Sequence, residues 1–143
     1  MSVAEQIRDD AREAMKAGDR QRSSALRMIQ DVLQQDAKMG KGDEIAVLQR
    51  ERKKRLEAAE AYREAGRTEQ AGAESFEAEL IVGYLPAQLS DEELNGMVAE
   101  AIEATGAESP KQMGQVMGAL KEKVAGRADG KRVSAAVKEQ LAA

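Results

Sequence analysis

The chain contains no cysteine and no histidine. The first absence removes disulfides, thiolate nucleophiles and thiolate metal sites. The second removes the commonest general base at neutral pH, and the two together leave none of the best ligands for zinc, copper or haem. Aromatic residues are nearly as scarce, since there is no tryptophan and only Tyr62, Phe76 and Tyr84 are present. Three rings, all claimed for packing by the stripes in which they fall, do not make the stacking platforms of a sequence-tolerant single-strand binder. Runs of Val, Ile, Thr and aromatics, the signature of strands, are missing. So are a run of about 18 apolar residues that could span a bilayer and an apolar leader at the N-terminus, which points to a cytoplasmic chain with no membrane contact. Carboxylates are plentiful, but Glu57, Glu60 and Glu64 read as solvated helix faces rather than as an acid–base pair in distinct, partly dry surroundings. No catalytic residue, metal or cofactor is expected.

What is present is helical. The 143 residues are 42% apolar and 34% charged, and the apolar share is Ala, Leu, Ile, Val and Met, which suit helix interiors. Val3, Ile7, Ala11, Ala14 and Met15 predict a first helix to about residue 17, and Gly18 ends it. Asp19 caps a second, carrying Ala25, Leu26, Ile29, Val32 and Leu33 to about Met39, with Gly40-Lys41-Gly42 as a flexible turn. Asp43 starts a third, whose stripe is Ile45, Leu48, Leu56, Ala59 and Tyr62. A fourth, over 68–84, is weakened by Gly72 and Gly83 at roughly 1 kcal/mol each relative to alanine. Leu85-Pro86 is the best internal boundary, because proline disfavours helix in the residue before it. Beyond it, Ser90-Asp91-Glu92-Glu93 reads as a capping box, in which the Ser90 hydroxyl and Glu93 carboxylate satisfy each other's backbone amides. Leu94, Met97, Val98, Ala101 and Ile102 form the following stripe, ended by Gly106. Ser109-Pro110 opens a helix with Met113, Val116, Met117, Leu120 and Val124, and Asp129 caps a last one with Val133, Ala136, Val137 and Leu141. The expected architecture is all-α: a four-helix N-terminal part, residues 1–86, and a three-helix C-terminal part, residues 87–143.

Net charge is −4, but it is segregated. Residues 87–108 hold six acids and no base, whereas residues 109–138 hold seven bases against Glu122 and Asp129. Lys111, Lys121, Lys123, Arg127, Lys131 and Arg132 are therefore the candidate phosphate contacts, with Gly114, Gly118 and Gly126 as positions where another backbone could come close. The Gly126–Lys131 segment is not a nucleotide-hydrolysing P-loop, because it has three residues between its glycines, Arg132 follows the lysine, and no strand precedes it. A tight helix connection with solvated charges is its commoner meaning, and a simple phosphate site at a helix start is the other. Gly114 and Gly118, four apart within a helix, forfeit about 2 kcal/mol of propensity. Either a neighbouring helix packs closely there, the more usual reason, or an external backbone such as RNA approaches. Within Arg50-Glu51-Arg52-Lys53-Lys54-Arg55, Arg50, Lys53 and Lys54 should face outward, while Arg52 and Arg55 fall on the apolar side and should pair with carboxylates of a facing helix.

Several ordered segments resemble the YqeY family: Arg27-Met28, Leu48-Gln49-Arg50-Glu51, Glu64-Ala65-Gly66-Arg67, Tyr84-Leu85-Pro86, Gln88-Leu89-Ser90, Met113-Gly114-Gln115-Val116-Met117-Gly118 and Gly126-Arg127-Ala128-Asp129-Gly130-Lys131. The resemblance covers essentially the whole chain. It implies similarity to the helical tail of the B subunit of the tRNA-dependent amidotransferase, the complex that amidates mischarged tRNA with glutamine as nitrogen donor. In that tail a Gly-Gln-Val-Met-like segment and a Gly-Lys-Ala-Asn-like turn, corresponding to Gly114–Met117 and Gly126–Asp129, contact the tRNA body, and the catalytic site lies in another domain. The resemblance thus implies a tRNA-binding accessory module, associated with carbon–nitrogen ligase activity by kinship alone and making no DNA contact. The alternative is an adaptor that docks on an aminoacyl-tRNA synthetase or amidotransferase through its N-terminal helices without touching RNA. A free-standing amidotransferase is disfavoured by the missing nucleotide site.

Overall fold

The computed structural model describes residues 1–40 and 42–143. Among the described residues seven α-helices and one short 3-10 turn account for all regular structure, so the all-α expectation holds. The chain divides into two compact units, Met1–Leu85 and Pro86–Ala143. The turn expected at Gly40-Lys41-Gly42 includes Lys41, which lies outside the described residues.

The first unit contains α1 (Val3–Lys16), α2 (Arg20–Met39), α3 (Glu44–Glu64) and α4 (Thr68–Val82). Three of its four helix starts are written locally, that of α4 having no side-chain cap. The side chains of Ser2, Asp19 and Asp43 each accept from the backbone amide three residues on, at Glu5, Arg22 and Ala46, which satisfies donors that a helix start leaves orphaned. Gly18 and Gly66 take φ of +78° and +75°, turns in which a Cβ would be strained. The core is formed by Ile7 and Ala11 of α1, Leu26, Ile29 and Leu33 of α2, Val47 and Leu48 of α3, and Ile81 of α4. Ala59 and Ala71 are also buried without belonging to that cluster, their small side chains letting α3 and α4 close on each other.

Two polar ties reinforce this unit. Glu44, in the first turn of α3, accepts from Val3 N at 3.3 Å and Ala4 N at 2.8 Å, capping α1 from another helix. The Tyr84 hydroxyl donates to the Asp10 carboxylate; burial, then this bond, then the Asp10 charge push the phenol's pKa upward. Leu56 departs from the expected stripe and is 40% exposed. It lies eight residues past Leu48, a rotation of about 80°, and the inward side of α3 is taken instead by Glu51, Arg55 and Ala59.

The second unit contains α5 (Asp91–Thr105), the 3-10 turn Pro110–Gln112, α6 (Met113–Val124) and α7 (Gly130–Ala142). The capping box of α5 has both reciprocal bonds, Glu93 N to Ser90 Oγ and Ser90 N to Glu93 Oε1, each 3.1 Å. The helix expected to open at Ser109-Pro110 begins as the 3-10 turn and becomes α-helical at Met113. There the Gln112 side chain accepts from Glu108 N at 2.7 Å, folding the entry back on itself. Asp129 caps α7 by accepting from Lys131 N. Val98, Val116, Leu120, Val133 and Val137 are at most 1% exposed and form the centre of the core. Among the described residues no helix is long and apolar enough to cross a membrane.

Candidate functional site

The basic candidates of the second unit fall into two groups. Lys111, Lys121, Lys123 and Lys131 are exposed, and among the described residues none of them has a carboxylate within ion-pairing distance. Arg127 and Arg132 are only partly exposed and are already engaged. Arg127 Nε donates to Ala87 O at 3.2 Å, while Arg132 Nη2 donates to Leu89 O at 3.0 Å and to Asp91 Oδ1 at 2.8 Å.

The three glycines divide in the same way. Gly126 is buried in a left-handed turn, φ +75°, with its carbonyl accepting from Gln88 Nε2 at 2.8 Å. It shapes the connection between α6 and α7. Gly114 and Gly118 are exposed, and a Cβ at either would meet nothing within 4 Å. Close helix packing, the more usual reason for such a pair, is therefore not the reason here.

Helical geometry organises what remains. Val116, Leu120 and Val124 are the buried side of α6. Gly114, Gly118 and Lys121 are spaced by four and three residues, so they run down one exposed side over roughly 10 Å. Lys111 lies in the turn just ahead of that line. Lys123 is about 160° around the helix from Lys121 and does not share its side, and Glu122 lies next to Gly118. The lysines of α6 therefore do not form a single basic face. What they do form is a narrow line of lysine, glycine, glycine, lysine.

A second charged constellation lies in the first unit. Arg55 Nη2 is 2.8 Å from Glu51 Oε1, and its Nη1 is 3.3 Å from Glu74 Oε2 and 3.1 Å from Glu77 Oε2. The side chains of Arg55, Glu51, Glu74 and Glu77 are 16%, 8%, 20% and 15% exposed, so their charges are largely cut off from water. Only the bond to Glu74 is well aligned; Glu51 Oε1 and Glu77 Oε2 make close charge contacts without hydrogen-bond geometry. Arg55 thus pairs across to α4 as its position on α3 predicts. Among the described residues Arg52 forms no such pair, and its Nε is buried without a hydrogen-bond partner. Arg50 reaches Asp36 of α2 at 3.4 Å but is 69% exposed, a pair worth at most about 1 kcal/mol.

The imbalance of this cluster governs its titration. Burial lowers the affinity of Arg55 for its proton, but Glu77, Glu51 and Glu74 outweigh burial and hold its pKa above that of an ordinary arginine. Glu77 is held above its ordinary 4.5, first because burial penalises the ionised form, with Arg55 opposing and Glu74 and Glu51 adding to the rise. The folded chain therefore binds this proton more tightly than the unfolded chain. The stability it contributes is fully present below the ordinary value and is lost as pH rises through the folded one. Glu77→Gln should raise the unfolding midpoint at neutral pH and reduce the gain that the parent chain shows at mildly acidic pH, as followed by urea titrations at both. An unchanged pH dependence would remove Glu77 as its source. Among the described residues no group of three or more acidic side chains is arranged to hold a metal ion.

No curated protein matches the chain. A family model described as Yqey-like protein matches residues 4–141, which takes in both units, the Arg55 cluster and the glycine line of α6. The chain belongs to the YqeY family.

Proposed function

We propose that the second unit is a tRNA-contacting module, working as an accessory to tRNA-dependent chemistry carried out elsewhere, in the cytoplasm. The carrying observation is the exposed line Lys111, Gly114, Gly118 and Lys121. Gly118 lies within α6 and Gly114 in its first turn, so together they forfeit at least about 1 kcal/mol of propensity, and among the described residues no group lies within 4 Å of where a Cβ would be at either. Such a surface suits a sugar–phosphate backbone, which needs bare main chain for close approach and cations at either end. The YqeY resemblance to the tail of the amidotransferase B subunit supports the same reading.

Gly114→Ala with Gly118→Ala separates this function from stability. Neither backbone is in the left-handed region and neither site is crowded. The double variant should therefore be more stable by about 1 kcal/mol, mostly from Gly118, while binding tRNA at least about tenfold more weakly, measured by urea unfolding and filter binding. Unaltered binding in a stabilised variant would refute the proposal.

The adaptor reading has its own support in the first unit, where Met15, Met28 and Leu56 are 51%, 44% and 40% exposed, large apolar side chains of the kind that protein interfaces cover. Partner capture that survives both nuclease and reversal of Lys111 and Lys121 would favour it.

A further inference from the structure

We propose that Arg127 and Arg132 are positioning residues rather than phosphate ligands, and that they bind residues 86–91 as a strap across the corner between α6 and α7. This assignment refines the RNA-binding reading and rests on it only for the affinity measurement below.

The strap has almost no regular structure of its own, yet several of its polar groups are bonded to the corner between α6 and α7. Leu89 N donates to Arg127 O at 2.8 Å. In the other direction, Arg127 Nε donates to Ala87 O at 3.2 Å and Arg132 Nη2 to Leu89 O at 3.0 Å. Gln88 Nε2 reaches both Gly126 O and Pro86 O at 2.8 Å. Leu89 itself is 4% exposed and packs in the core beside Ala128 and Val133. These bonds supply partners to backbone groups of a corner that neither helix can satisfy, because α6 has already ended at Val124 and α7 begins only at Gly130. Asp91, 91% exposed, adds a carboxylate 2.8 Å from Arg132, so the guanidinium already holds an anion. Both bonds come from Nη2, whose two N–H directions are fixed by the guanidinium plane at the end of a long stem, a reach and direction that the shorter, freely rotating ammonium of lysine does not reproduce.

The test uses the full chain with Arg132→Gln, Arg132→Lys, Lys131→Gln and Asp91→Asn. Hydrogen exchange at the Leu89 amide is measured together with the salt dependence of binding to unfractionated tRNA. Both Arg132 variants should speed Leu89 exchange about tenfold or more through local opening of the strap, with affinity reduced and the slope of log affinity on log salt unchanged. Lys131→Gln should leave exchange as it was and flatten the slope by about one phosphate contact. The proposal is overturned if Arg132→Lys exchanges and binds like the parent chain while Arg132→Gln loses slope. It is equally overturned if Asp91→Asn steepens the slope, because Arg132 would then be a phosphate site that Asp91 masks. If the parent chain binds no tRNA, the RNA reading fails, and the exchange comparison alone still decides whether the strap depends on Arg132.

Discussion

Replacing Arg55 by methionine is expected to destabilise the first unit by about 3–5 kcal/mol, the range for removing one partner from a buried ionic group. The reason is the arithmetic of the cluster. One guanidinium meets Glu51, Glu74 and Glu77 within 3.3 Å, and without it three carboxylates remain in a poorly hydrated seam between α3 and α4 with nothing to balance them. Methionine preserves the volume of the arginine stem, so the loss reports charge rather than packing. The effect is a large share of the 5–15 kcal/mol that holds a typical domain together, and much of it should be recovered at acidic pH, where Glu77 is the first of the shifted groups to take up a proton. Urea unfolding followed by circular dichroism gives the value. A loss below about 1 kcal/mol would mean that the cluster behaves as a solvated surface pair.

Reversing Lys111 and Lys121 together to glutamate is expected to weaken tRNA binding about a hundredfold at low salt. Two charge-assisted contacts at about 1.5 kcal/mol each account for this without counting the added repulsion. Both side chains are exposed and have no ion pair among the described residues, so stability should stay within about 0.5 kcal/mol of the parent. Lys123→Glu, on the other flank of α6, should do markedly less. Equal losses from Lys123 and Lys121 would point to diffuse attraction and not to a line of contacts. Glu122 lies beside Gly118 and works against an approaching phosphate, which fits a surface of limited reach in a chain of net charge −4.

The parts of this fold that were legible in advance are those written in neighbouring residues. Ser90 and Glu93 announce their capping box because both partners sit within four residues, and Asp19, Asp43 and Asp129 announce helix starts for the same reason. Arg55 could be placed on the inward side of α3 by periodicity, but its partners Glu74 and Glu77 could not, since nothing local distinguishes them from solvated carboxylates such as Glu57 or Glu60. Leu56 was misplaced because an apolar residue near the stripe outweighs, in sequence, the charged residues that occupy the buried side.

The glycines of α6 pose the same limit differently. Sequence shows two glycines four apart in one helix, but only the packed structure shows that, among the described residues, no neighbour fills the space, which removes the packing expectation and leaves the proposed backbone approach. Arg127 and Arg132 were legible as cations and not as strap residues, because their acceptors are the main-chain carbonyls of Ala87 and Leu89, about 40 positions away. Their charge is therefore a poor guide to what they bind.

The most direct test of a phosphate-contacting surface in the second unit is the salt dependence of tRNA affinity for the parent chain. With Lys111, Lys121 and Lys131 as the contacting cations, each exposed and without an ion pair among the described residues, about three phosphates are engaged, and log affinity should fall with log salt at a slope near −2 to −3. A flat profile, or no measurable binding at low salt, would contradict the account.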